Sequence, residues 1–247
     1  MVDISYQLYC SRNFPPLAET CKMLAAAGYT QVEGFGGLFD DLDALKGAVD
    51  GAGLSMTSSH INLAMVREDP AQAIRICQTM GVKKAFAPFI MPDDRPNDDA
   101  GWRALGQELA ELAKPLADAG VTFGWHNHDF ELVPLASGAR PLDLMAESGL
   151  ALELDLGWVA RAGEDPAAWV TKYAKQIAAV HVKDIAPAGD CADEDGWADV
   201  GHGTLDWSAI HAACAAAGVT HYVVEHDNPN DHARFAGRSI AAIKTFS

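Results

Sequence analysis

The chain has 247 residues, 49% of them apolar and 21% charged, which is ample for a substantial core, and it carries a formal net charge of −16. That charge argues against a nucleic-acid backbone as partner, because such binders displace counterions with a basic surface. No apolar run approaches the roughly 20 residues needed to cross a bilayer, so a membrane is excluded.

Short β-rich runs alternate with longer Ala- and Leu-rich stretches along the whole chain. In order, the predicted strands and following helices are Ile4–Cys10 then Leu17–Ala27, Gln31–Glu33 then Leu42–Ala52, Ser55–Ser59 then Pro70–Met80, and Lys84–Pro88 then Gly101–Ala119. The second half repeats the pattern with Thr122–His126 then Pro141–Ser148, Ala151–Asp155 then Pro166–Lys175, Ala178–Lys183 then Trp207–Ala217, and His221–Glu225 then Asp231–Thr245. Such alternation builds parallel sheets.

The element ends carry their own signals. The phrases AAAGYTQVE, GAGLSMTSS, TMGVKKAF, LADAGVTFGW, ESGLALELD and AAAGVTHYVVE each place a glycine between a helix and the next strand, where a left-handed residue closes the helix. Asp69-Pro70 and Asp165-Pro166 put a capping carboxylate before a proline in the first helical turn, where its missing N–H is no loss. No linker or composition shift divides the chain, so residues 1–247 read as one domain. Roughly 250 residues is the usual size of an α/β (β/α)8 TIM barrel; the alternative, an open doubly wound sheet, lacks its GxGxxG turn here.

The active site of such a barrel forms at the C-terminal ends of the strands. Glu33 ends the second strand, His60 follows the third, His126-Asn127-His128 the fifth and Asp155 the sixth, while His181-Val182-Lys183-Asp184 and Glu225-His226-Asp227 end the seventh and eighth. Ionisable groups at strand ends cost desolvation unless they are used, so this gathering points to a site. Mixed imidazole and carboxylate donors suit one divalent ion of Mn, Zn, Co or Fe, whereas oxygen alone would suit Mg or Ca. His211 reads as structural, and His221, His226 and His232 as surface or supporting groups. The five cysteines, Cys10, Cys21, Cys77, Cys191 and Cys214, contain no CxxC; they suit reduced thiols, and with no secretory signature at the start they predict cytoplasmic residence.

The segments GWHNHDFEL, LELDLGWVARAGEDP, VHVKD, VGHGTLDW and YVVEHD occur in that order on the predicted strands. On these the whole chain resembles the xylose isomerase-like barrels, the sugar phosphate isomerase/epimerase group. The resemblance implies Asp155, His181 and Glu225 as metal ligands, with His126 where the family usually carries glutamate. With that glutamate missing, either His126 is a ligand and a neighbour such as His128 or Glu131 serves as base, or the reaction needs only one carboxylate base; Trp158, a candidate to line the sugar face, stands where many relatives carry histidine, and His202 stands where VGxG often carries glutamate. Barrels of this group often pair, so a homodimer is the assembly it suggests.

A divalent ion beside a hydroxy-ketone favours an enediolate once a base removes the α-proton. Glu225 is the first candidate for that base. Lys183, two residues after His181 and on the same face, and Arg161 from the following loop are candidates to hold a substrate oxygen; Glu33 and His60 would complete the pocket. The expected activity is isomerisation or epimerisation of a small keto sugar, unphosphorylated because no Gly-rich loop or basic cluster is present. Alternatives are a dehydratase or lyase acting on an inosose or 3-keto glycoside, an AP-endonuclease-like enzyme, which the charge disfavours, and a non-catalytic sugar-binding barrel.

Overall fold

The computed structural model describes residues 2–246. Its strands are β1 (Asp3–Gln7), β2 (Gln31–Gly34), β3 (Ser55–His60), β4 (Lys84–Ala87), β5 (Thr122–His126), β6 (Ala151–Asp155), β7 (Ile177–Val182), β8 (Asp184–Ile185), β9 (Trp197–Ala198) and β10 (His221–Val224). Eight of them close into a barrel in the order β1-β10-β7-β6-β5-β4-β3-β2, every neighbouring pair parallel, and β8 pairs β9 in a short antiparallel ribbon beyond the barrel mouth. The expected (β/α)8 architecture is therefore present.

The main outer helices are α1 (Leu17–Ala27), α2 (Leu42–Gly51), α4 (Pro70–Met80), α5 (Asp99–Asp118), α6 (Pro141–Ala146), α8 (Pro166–Lys172), α9 (Trp207–Ala216) and α10 (His232–Ile243), with the short α3 (Leu63–Glu68) and α7 (Leu156–Arg161) between them. None is long and apolar enough to cross a membrane. The caps behave as the sequence predicts: Asp41, Asp69, Asp98, Asp165, Asp206 and Asp231 each accept a backbone N–H from the first turn of their helix. The glycines ahead of the strands, Gly28, Gly53, Gly81, Gly120, Gly149 and Gly218, all adopt φ between +72° and +99°, a region an L side chain enters only under strain.

Several elements differ from expectation, some for a clear local reason. The first strand ends at Gln7, because the Gln7 side chain accepts from Tyr9 N–H and turns the chain into a 3-10 segment over Leu8–Ser11. Helices α3 and α7 escape periodicity because they span under two turns; Asn62 and Asp155 cap them. The last barrel strand stops at Val224, so Glu225 lies just past it.

Period-2 alternation sorts the strand residues. Outward positions such as Val32, Trp125, Leu152, Leu154, Val180, Val182 and Val224 are buried under the helices in one continuous core, while Gln7, Glu33, His60, His126, Glu153, Asp155 and His181 are buried inside the barrel. Gly124, inward and two residues before His126, sets how closely β5 approaches β6: a β-carbon there would stand 2.1 Å from the Ala151 carbonyl oxygen. Gly124→Ala is expected to lower stability by roughly 1–3 kcal/mol through this overpacking. A urea melt with an unchanged midpoint would refute the close approach.

Candidate active site

Strand alternation brings four donors from neighbouring strands to one level of the barrel: His126 on β5, Asp155 on β6, His181 on β7 and Glu225 after β10. Their donor atoms all lie within 4.8 Å of one another, and all four residues are buried. His181 Nδ1 is 2.9 Å from Glu225 Oε2, and Asp155 Oδ2 is 3.9 Å from both His126 Nε2 and His181 Nδ1. Asp155 Oδ1 caps α7 by accepting from Trp158 N–H, whereas its Oδ2 is buried with no hydrogen-bond partner. An orphaned carboxylate oxygen facing two imidazoles is costly by itself and is satisfied by a cation. The residues expected as ligands thus fit a divalent metal, and the nitrogen and oxygen donors suit the later first-row ions.

One level deeper lies a second polar layer. Glu153, which precedes Asp155 by two residues and so faces the same way, accepts on a single oxygen, Oε2, from His60 Nε2 at 2.7 Å and His126 Nδ1 at 3.2 Å, and that oxygen lies 3.1 Å from His181 Nε2. Glu33 Oε1 takes His181 Nε2 at 2.8 Å and Gln7 Nε2 at 2.8 Å, and lies 3.3 Å from His60. Glu153 was missed from the sequence, although the spacing Glu153-Leu154-Asp155 carries the signal. Burial alone would push the Glu153 carboxyl up, but His181 and then His60, with hydrogen bonds from His126 and His181, hold it well below its usual range. Glu33 moves the other way, raised by burial and then by the charge on Glu153.

Lys183, expected to hold a substrate oxygen, is wholly buried and engaged by protein groups. Its ammonium lies 2.7 Å from Asp227, 3.3 Å from Glu225 and 3.9 Å from Asp155, and sits over the rings of Trp197 and Trp158 at 4.3 and 4.8 Å. Gly157 makes room for it, since a β-carbon there would meet the Lys183 side chain and carbonyl at 2.8 Å. Burial opposes the charge on Lys183, yet Asp227, Glu225 and Asp155 outweigh it and raise its pKa. In return Glu225, which burial alone would raise, is held well below its usual range by Lys183 and then His181.

The cavity above this floor is about 560 Å³ and is lined by His60, His126, His128, Glu225 and Asp227 on its polar side. Tyr9, Phe35, Phe89, Met91 and Trp158 supply an apolar rim. Trp158 thus presents its ring to the cavity, and its buried Nε1 has no partner. His128 is also placed at the cavity; burial, then His126, lowers its pKa well below that of a free imidazole, and its Nδ1 is unpartnered.

Other candidates are drawn away from the cavity. Arg161 stacks on Trp197 at 3.4 Å and donates to the Asp195 carbonyl. His202 is exposed, because Asp184 accepts from the backbone of Gly201, Gly203 and Leu205 and from Trp207 Nε1 and pins that loop outside. Of the histidines read as surface or supporting groups, His221 is buried and bonds Ser58 inside the barrel, His226 is buried edge-on against Phe235, and half-buried His232 bonds Ser11. His211 bonds Tyr222 and is structural, as expected.

Glu131 is buried beneath the loop and accepts from Trp125 Nε1 and from His128 N–H, both at 2.9 Å. With both oxygens engaged it braces His128 and does not reach the cavity. Burial, only partly offset by the hydrogen bond from Trp125, pushes its carboxyl up to about 7. A raised folded pKa means the folded state holds the proton longer, so the stability Glu131 contributes is fully present below about pH 4.5 and is lost as pH rises through 7. Glu131→Gln should therefore flatten the stability profile between pH 5 and 8, by on the order of 2 kcal/mol across that window. Parallel profiles for the two proteins would contradict this.

Residues 21–245 match the family described as xylose isomerase-like TIM barrel, and the chain belongs to that family. It is 33% identical over 84 residues to the rhizopine catabolism protein MocC of Rhizobium meliloti, a match covering 34% of this chain and 26% of that protein. It is likewise 33% identical over 85 residues to an inosose dehydratase of Clostridium beijerinckii, covering 34% and 28%. Each match thus spans about a quarter of the relative's length. Among solved structures, a sugar phosphate isomerase/epimerase from Parabacteroides distasonis superposes with a TM-score of 0.82 at 20% identity, covering 100% of this chain and 96% of that one; this likeness is one of fold.

Proposed function

We propose that this protein is a divalent-metal-dependent enzyme that enolises a small keto sugar or cyclic keto polyol, moving the abstracted proton to isomerise or epimerise it. The observation that carries this reading is Glu225, a carboxylate held ionised by buried Lys183, lining the cavity beside His126, Asp155 and His181. A metal held by these four residues would polarise a carbonyl and favour negative charge on its oxygen.

The chain's own residues account for the remaining steps. Trp158 offers an aromatic face to the apolar side of a sugar ring. Glu225 takes the proton from the carbon next to the carbonyl; its two protein contacts both use Oε2. Neutral His128, with an unpartnered ring nitrogen at the same cavity, is placed to exchange a proton with substrate oxygen. The aromatic rim and the buried floor limit water around the charged intermediate.

A second reading, elimination of a β-hydroxyl after the same proton loss, is supported by a specific asymmetry. The cavity's two acidic residues, Glu225 and Asp227, both pair with Lys183, while His60, His126 and His128 supply its imidazoles; two-base epimerisation on carboxylates would need a second, independent one. The local similarity to an inosose dehydratase points the same way.

Incubation in D2O with a panel of ketoses, inososes and 3-keto glycosides, read by mass spectrometry, tests both. Deuterium entering the carbon next to the carbonyl at conserved product composition supports isomerisation or epimerisation, and loss of water supports elimination. A metal-loaded protein that exchanges no proton on any of these substrates refutes the enolising reading.

A further inference from the structure

The cluster contains two overlapping sets that could each gather a metal: His126, Asp155, His181 and Glu225 above, and His60, His126, Glu153 and His181 below. Geometry distinguishes them. Donors held at about 2.1 Å around a tetrahedral ion stand roughly 3.4 Å apart. In the lower set the Glu153 oxygen is 2.7, 3.1 and 3.2 Å from its three ring nitrogens, which is hydrogen-bond spacing. In the upper set His181 Nδ1 and Glu225 Oε2 are also at hydrogen-bond spacing, 2.9 Å, but Asp155 Oδ2 stands 3.9 Å from both His126 Nε2 and His181 Nδ1, with no hydrogen bond of its own.

We propose that Glu153 is a positioning residue that, through one buried oxygen, fixes which nitrogen of both His126 and His181 faces the Asp155–Glu225 level. The assignment follows from the bonds. A carboxylate accepts, so His126 gives its Nδ1–H to Glu153 and turns Nε2 upward. His181 directs Nε2–H down to Glu33 and Glu153 and turns Nδ1 upward. The two histidines therefore present opposite ring nitrogens to one place, and Glu153 Oε2 is the carboxylate oxygen that lies beneath both rings. His60, the third donor to the same oxygen, lies against His181 with ring planes 10° apart and centroids 5.2 Å apart, and closes the layer on the β3 side. Glu33 touches His181 and His60 but not His126, so it cannot replace Glu153 as the shared anchor.

The inference rests on the metal reading, and the test separates the two. Co²⁺ alone is titrated into the metal-stripped full chain, affinity is read by competition with a chromophoric chelator, and the ligand field is read from the visible d–d absorption. Glu153→Gln should weaken Co²⁺ by about 10–100-fold and alter the d–d spectrum, because losing an outer carboxylate frees the ring orientation. Glu33→Gln should weaken it less, and Glu153→Asp, which keeps the charge, should recover part of the loss. Glu153→Asp also serves if Glu153→Gln does not fold. Wild-type affinity and spectrum in a folded Glu153 variant would overturn the positioning role while leaving the metal reading intact. Failure of the wild-type protein to bind Co²⁺ would overturn both.

Discussion

Glu225→Gln is expected to lower the proton-exchange rate by about 10²–10⁴-fold, the usual contribution of a positioned general base. Glutamine keeps the volume of the side chain and can still accept one hydrogen bond, but it cannot take a proton. Lys183 retains Asp227 at 2.7 Å, so the substitution weakens the two contacts of Glu225, to His181 and Lys183, and not the whole network. Because Glu225 is also placed as a ligand, the measurement is made at saturating metal with metal content determined in parallel. A loaded Glu225→Gln protein that exchanges solvent deuterium within tenfold of the wild-type rate would remove Glu225 from the base role and leave His128 to take it.

The second large effect is on stability. Lys183→Met leaves Glu225, Asp227 and the nearby Asp155 without the ammonium that lies 3.3, 2.7 and 3.9 Å from them. Breaking a buried pair by removing one partner costs about 3–5 kcal/mol, because the surviving charge remains buried. For a chain of this size each kcal/mol lowers the melting temperature by about 2–4 °C. The loss should be partly recovered by adding Asp227→Asn, since that removes one orphaned carboxylate and couples the two sites. If Lys183→Met melts with the wild-type protein, the lysine is not the keystone of the acidic floor, and the depressed Glu225 pKa needs another source.

Much of this fold was legible from the chain. Six glycines ahead of six strands, aspartates before helices and an eightfold alternation are local signals, governed by backbone sterics and by hydrogen bonds within a few residues. Short elements were not legible: α3 and α7 are too brief to show a period, and β8 and β9 are two-residue strands whose pairing, Asp184 with Ala198 and Ile185 with Trp197, is not local in the chain. At the site, Asp155, His181, His126 and Glu225 could be picked out because the barrel rule assigns strand ends to chemistry. Lys183 and Glu131 could be picked out too, but their partners could not, and the partners reverse their meaning.

The sequence by itself thus determined the barrel, the location of the site and the kind of donors that ring it, because each depends on periodicity and on residues close together in the chain. Only the tertiary structure decided what each donor does. It placed Lys183 as a counter-charge for Glu225, set Glu131 beneath His128 and left His202 on an exposed loop. It also brought Glu153 under histidines from three different strands. Those contacts join residues 27 to 93 positions apart in the case of Glu153, and closure of the barrel alone brings them within hydrogen-bonding distance.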